Sequence, residues 1–144
     1  MRYGWTYDHV DWLVARTAIC ELQWKSISFV AQYAVPIPTA PGVYMFLLRT
    51  SNLLFETQPW REMQAPMYIG QTNNLRRRFK EHVENRSLVH KHLEKFPHVK
   101  FCYALAEQER LNEIESALVK VFGPSINQIQ PPTLRAKLLD PIKI

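Results

Sequence analysis

Two periodicities organise this chain. Between Ile27 and Val35 apolar residues recur at every second position (Ile27, Phe29, Ala31, Tyr33, Val35), the repeat of a half-buried strand. Val43 to Leu48 and Ala65 to Gly70 read as two further strands, joined into a hairpin with a long tip that carries Trp60. Val99 to Leu105 alternates as another core strand. Helical spacing appears in three longer stretches. Val10, Leu13, Val14, Ile19 and Leu22 lie roughly on one face of a helix that Asp8 can cap. Leu75, Phe79 and Val83 make the apolar stripe of a helix capped by Asn73 or Asn74 and running to about Asn85, with a short helix near Ser87 to Lys95. Leu111, Ile114, Leu118, Val121 and Phe122 form the stripe of a last helix over Glu107 to Phe122, which Gly123-Pro124 stops. Pro36, Pro38 and Pro41 interrupt regular structure just before Gly42.

A chain of 144 residues is most economically one compact domain. Its 18 Lys and Arg against 13 Asp and Glu, with a pI near 9.4, favour an anionic partner. Cys20 and Cys102 are far apart and in no CxxC pairing, which supports neither a disulfide framework nor a cysteine zinc site and makes a reducing, cytoplasmic compartment the default. Asp8, Asp11, Trp5 and Trp12 stand where a signal peptide needs a basic start and an unbroken apolar run, and no stretch reaches membrane-spanning length.

Candidate chemistry concentrates in Met67 to His82, together with Pro41-Gly42-Val43-Tyr44 and Glu115. At about 100° per residue Arg78 and His82, four apart, project from the same side of their helix and flank its buried stripe, whereas Arg77 points almost opposite. The plainer reading of Arg76-Arg77-Arg78 is a solvated basic face. Glu115 borders the apolar stripe of the last helix, and a carboxylate there is costly unless paired, hydrogen-bonded or metal-bound, with Arg78 the obvious pairing partner. Tyr44 and Tyr68 are each separated by one residue from a glycine on adjacent strands, which puts two phenols side by side with backbone close to a ligand. His82, His90, His92 and His98 fit no zinc spacing.

On these residues the chain resembles the GIY-YIG nuclease superfamily from about Pro41 to Gln128. Gly42-Val43-Tyr44 matches its first motif and Tyr68-Ile69-Gly70 its second. The family's catalytic arginine lies ten residues after the second motif's tyrosine and a His or Tyr four further on, which lands on Arg78 and His82. Its metal-binding glutamate corresponds to Glu115 and its later asparagine to Asn127. Pro38-Thr39-Ala40-Pro41-Gly42 is similar to the approach in the nuclease half of the bacterial excision-repair endonuclease.

The resemblance implies a small α/β fold with a central three-stranded mixed β-sheet flanked by helices. It divides the chain into an N-terminal helix-plus-strand extension over residues 1–40, a nuclease domain over 41–128 and a tail over 129–144. It also implies hydrolysis of DNA with one divalent cation, Mg²⁺ or Mn²⁺, held by Glu115. In that scheme Arg78 offsets charge on the phosphoryl group, and one of Tyr44, Tyr68 and His82 activates water. Gly42, Gly70 and Asn127 brace the site, while Gln71, Arg76, Arg77 and Lys80 contact the nucleic acid. The 23 residues between Tyr44 and Tyr68 exceed the family's usual spacing, so an insertion occupies the hairpin tip. Gln71 stands where the excision-repair branch has a lysine. Target choice then falls to the insertion, to a homo-oligomer, to a partner protein or to DNA structure. The competing reading is a DNA-binding or partner-binding module that keeps the fold with little cleavage.

Overall fold

The computed structural model describes residues 9–49, 64–84, 87–96 and 98–129. Asp8, Trp60, Arg61 and the C-terminal tail lie outside the described residues. Helix α1 spans His9–Glu21. It docks through Ala15 and Ala18, with Val14 and Leu22 alongside, so small residues bring it close to the body. The expected stripe fails in part: Val10 is 68% exposed, and Leu13 and Ile19 are also at the surface. Spacing alone gave too much weight to the larger side chains, whereas close helix packing favours the alanines. The indole of Trp24 secures the end of α1 by donating to the Ala18 carbonyl at 3.0 Å.

Four strands build one sheet: β1 Trp24–Ser28, β2 Gly42–Arg49, β3 Gln64–Thr72 and β4 Lys100–Leu105. Their order is β1-β4-β2-β3, and every neighbouring pair is antiparallel. The expected three-stranded mixed sheet is therefore corrected twice. β1 adds an edge to β4, and no parallel pairing occurs among the described strands. β1 also begins and ends earlier than the alternation of Ile27 to Val35 predicts. After Phe29, whose N–H reaches the Val99 carbonyl at 3.0 Å, the chain turns through a single 3₁₀ turn at Ala31–Tyr33. Val30, Tyr33 and Val35 are exposed there, while Ala34 and Ile37 go into the core. The period of two in that stretch is produced by a turn and not by a pleat.

The sheet separates two unlike cores. Val43, Met45, Ile69 and Ala104 face α1 and helix α4, Leu111–Phe122, in an aliphatic layer with Ile114, Ala117 and Leu118. Tyr44, Phe46, Phe101 and Tyr103 face the other way, against helices α2, Leu75–Val83, and α3, Leu88–Leu93. Period-two alternation along β2 and β4 produces this division directly. Three of the helices have a local reason to begin or end. Asn74 caps α2 by accepting the Arg77 N–H at 3.0 Å, and Ser87 caps α3 through the His90 N–H at 3.3 Å. A 3₁₀ turn at Gln108–Arg110 leads into α4, which ends at Gly123 with φ 54°, the left-handed conformation glycine adopts without strain. The return segment is itself helical: α5 spans Ser125–Ile129 and seats Ile126 in the aromatic core. Gly42 lies where a side chain has no space, because a Cβ there would meet the Ala104 carbonyl and sit 2.6 Å from Leu75 Cδ1.

Candidate active site

The site is built where edge strand β3 meets α2. Tyr44 on β2 is paired across the ladder with Gly70 on β3, and its ring extends over that glycine. A Cβ at Gly70 would lie 2.5 Å from the Tyr44 hydroxyl and 3.0 Å from the Tyr68 ring, so only glycine lets the phenol reach across. Tyr68 stands beside it with ring centroids 6.2 Å apart. Behind the pair, Phe101 stacks on Tyr44 and Phe46 abuts His82 edge-on. The phenol is thus held rigidly in an aromatic wall.

Helical spacing then brings a guanidinium and an imidazole to this hydroxyl. Arg78 Nε donates to Tyr44 Oη at 3.2 Å, and His82 Nε2 lies 3.0 Å from the same oxygen. The opposite ring nitrogen, His82 Nδ1, is 2.6 Å from Ser87 Oγ. Arg78 also forms an ion pair with Glu81 at 3.1 Å, so its carboxylate partner is Glu81 and not Glu115. His82 is fully buried, and burial, with the Arg78 charge and then His90 adding to it, lowers its pKa to about 3. The imidazole is neutral at physiological pH. Burial raises the pKa of both Tyr44 and Tyr68 despite the opposing pull of Arg78, so both phenols keep their protons. Burial works against the Arg78 charge, but Tyr44, followed by Glu81 and Tyr68, more than restores it and the guanidinium stays a full cation.

Glu115 arrives from α4 at the same sheet edge. Burial raises its pKa, while hydrogen bonds from Gln71 pull the other way. Gln71 Nε2 donates to Glu115 Oε1 at 3.3 Å and to Asn112 Oδ1. Among the described residues Glu115 makes no ion pair, which leaves a half-buried carboxylate whose charge is met only by a neutral amide. That environment suits a divalent cation. Among the described residues no group of three His, Cys, Asp or Glu could hold a metal, so a cation at Glu115 would take most of its ligands from water and phosphate oxygens, as magnesium commonly does. Asn127 on α5 binds β3 through both ends of its amide, accepting the Ile69 N–H at 2.7 Å and donating to the Ile69 carbonyl at 2.8 Å.

The remaining expected residues fall elsewhere. Arg76 donates to the carbonyls of Ile37 and Val35, both at 2.7 Å, and so fastens the segment before β2 to α2. Arg77 reaches Asn73 at 2.6 Å on the surface, and Lys80 is exposed. His90 Nδ1 donates to the His82 carbonyl at 2.7 Å, a structural bond. Sequence reasoning missed Ser87, Glu81 and Asn112 as neighbours of the site. Ser87 carried a weak signal as a helix cap, and Glu81 as the partner three residues after Arg78; nothing in sequence spacing couples Asn112 to Gln71.

Residues 41–127 match the family model described as the GIY-YIG catalytic domain. The chain belongs to the GIY-YIG family. Among solved structures, it is similar to the GIY-YIG N-terminal endonuclease domain of UvrC from Thermotoga maritima bound to its catalytic magnesium. The match has 20% identity over 67% of this chain and 92% of that one, with a TM-score of 0.47. An alanine point mutant of the same domain matches at 19% identity over 65% and 89%, with a TM-score of 0.46. No curated protein matches the chain in sequence. As a GIY-YIG member, the chain carries a nuclease fold with Gly42-Val43-Tyr44 and Tyr68-Ile69-Gly70 inside the matched region.

Proposed function

We propose that this GIY-YIG domain is a metal-dependent DNA endonuclease in which Tyr44 receives the proton of the attacking water. The observation that carries this reading is the Tyr44 hydroxyl held between Arg78 Nε at 3.2 Å and His82 Nε2 at 3.0 Å, at the sheet edge where Glu115 also lies. The UvrC domain carries a catalytic magnesium, and the Glu115 environment fits the same kind of ion. Glu115 would hold Mg²⁺ or Mn²⁺, which when bound supplies positive charge to polarise the scissile phosphate.

His82 and Tyr44 are both buried, and Tyr44 is assigned the water because its oxygen contacts both Arg78 Nε and His82 Nε2 and so can pass a proton inward. A phenol is a weak base at neutral pH. The arrangement offsets this because Tyr44 can release its own proton to His82 Nε2 as its oxygen takes one from water. Arg78 Nε, donating to that oxygen, opposes charge build-up on it. The remaining guanidinium donors of Arg78 are available to the phosphoryl oxygens as they gain charge. Gln71, itself bonded to Asn112, holds Glu115 in place, and Tyr68 orients water beside Tyr44.

Nicking of supercoiled DNA by the pure protein with Mg²⁺ or Mn²⁺ tests this, with EDTA and Glu115→Gln as controls. Metal-dependent nicking that disappears in Glu115→Gln while DNA binding persists is the expected result. Nicking that survives EDTA or the substitution overturns the metal assignment. DNA binding without cleavage by the wild-type protein favours a binding module on this fold.

A further inference from the structure

The geometry points to Ser87 as a positioning residue for the reaction: its hydroxyl fixes the His82 ring so that Nε2 offers a lone pair to the Tyr44 proton. This inference rests on the nuclease reading above. The bond directions follow one another. Arg78 Nε–H can only donate, so Tyr44 Oη accepts there. The buried phenol keeps its own proton; the Tyr68 hydroxyl also approaches its oxygen, but an imidazole nitrogen is a stronger acceptor than a protonated phenol, and His82 Nε2 lies 3.0 Å away. Nε2 is therefore the unprotonated nitrogen. A neutral imidazole then carries its proton on Nδ1 and donates it to Ser87 Oγ at 2.6 Å.

Ser87 is well placed to be this acceptor because the first turn of α3 holds His82 at two points. Its Oγ also accepts the His90 N–H at 3.3 Å, and the His90 ring donates to the His82 carbonyl at 2.7 Å. Both ring position and backbone position of His82 are thus set by residues 87–90. Without the hydroxyl, Nδ1–H is buried with no acceptor, an unfavourable state that the imidazole escapes by moving its proton to Nε2. Tyr44 Oη then faces two donors, from Arg78 and from His82, and its proton loses its acceptor. The balance of the step shows why this matters. Water gives its proton to Tyr44 Oη as its oxygen bonds to phosphorus and the bond from phosphorus to the leaving oxygen breaks. The Tyr44 proton passes to His82 Nε2, and the resulting imidazolium keeps its Nδ1–H on Ser87.

The test compares the full chain with Ser87→Gly and Ser87→Thr, since glycine is itself a tolerated helix cap and threonine restores the hydroxyl. Nitrogen-15 NMR of the histidine rings should show His82 with hydrogen on Nδ1 in the wild type and in Ser87→Thr, and on Nε2 in Ser87→Gly. Supercoiled-plasmid nicking in Mn²⁺ should show kcat falling about ten- to a hundredfold in Ser87→Gly with KM little changed, and recovering in Ser87→Thr. An Nε2–H tautomer in the wild type overturns the inference. So does a Ser87→Gly protein with an unmoved tautomer, whether or not its kcat falls. A wild-type protein that nicks no DNA, with ring signals behaving as expected, sinks the nuclease reading and leaves the Ser87 contact supported.

Discussion

The two faces of the sheet are equally dry and differently made. Towards α1 and α4 the core is Val43, Met45, Ile69, Ala104, Ile114 and Leu118, aliphatic groups without a polar atom among their side chains except the thioether. Towards α2 and α3 it is Tyr44, Phe46, Phe79, Phe101 and Tyr103, with His82 buried among them. A buried polar group is costly unless its partners are present, so the aromatic face is stable only because Arg78, Tyr44, His82 and Ser87 satisfy one another. The aliphatic face holds the sheet together, and the aromatic face holds the Arg78, Tyr44, His82 and Ser87 hydrogen bonds in one geometry.

Substitutions can break this division. Leu118→Ala on the aliphatic face should lower unfolding free energy by about 2–5 kcal/mol in chemical denaturation, while the protein that remains folded nicks DNA at the wild-type rate. A comparable loss of nicking per folded molecule would show that the two faces are not independent. Tyr44→Phe on the aromatic face should do the reverse. Nicking should fall about a hundredfold, equivalent to just under 3 kcal/mol of barrier, with a smaller drop in melting temperature than Leu118→Ala causes.

The smallest effect is electrostatic and also belongs to the aromatic face. His82 titrates at about 3 in the folded protein against 6.5 ordinarily, so between those values the unfolded chain binds more protons and folding weakens as pH falls. Its contribution is complete above pH 6.5 and should drop by about 2 kcal/mol on going from pH 6.5 to 5. Denaturation midpoints measured across that window should lose this slope in His82→Leu. A slope that persists in His82→Leu would assign acid sensitivity to other groups.

How much of this was legible in the sequence depended on whether the signal was local. Asn74 as a cap, Gly123 as a stop and the shared side of Arg78 and His82 follow from rules spanning a few residues, and each is present in the structure. The closeness of Tyr44 and Tyr68 followed from glycines beside two strands that pair. What escaped was decided by contacts distant in the chain. β1 formed at Trp24–Ser28 because β4 offered it an edge, and the stronger-looking alternation after Ile27 had no partner strand. α1 chose Ala15 and Ala18 because its position against the body demands small residues. The tie from Gln71 to Asn112 joins residues 41 apart and has no counterpart in any local pattern.

The amide of Asn127 has one more consequence. β3 is an outer strand, and an outer strand normally presents free N–H and C=O groups that a foreign chain can pair with. By taking both groups of Ile69, Asn127 imitates a single residue of a fifth strand. The edge that carries Tyr68 and Gly70 is thereby closed to strand addition at its centre, and one side chain protects the protein from edge-to-edge aggregation beside the proposed site.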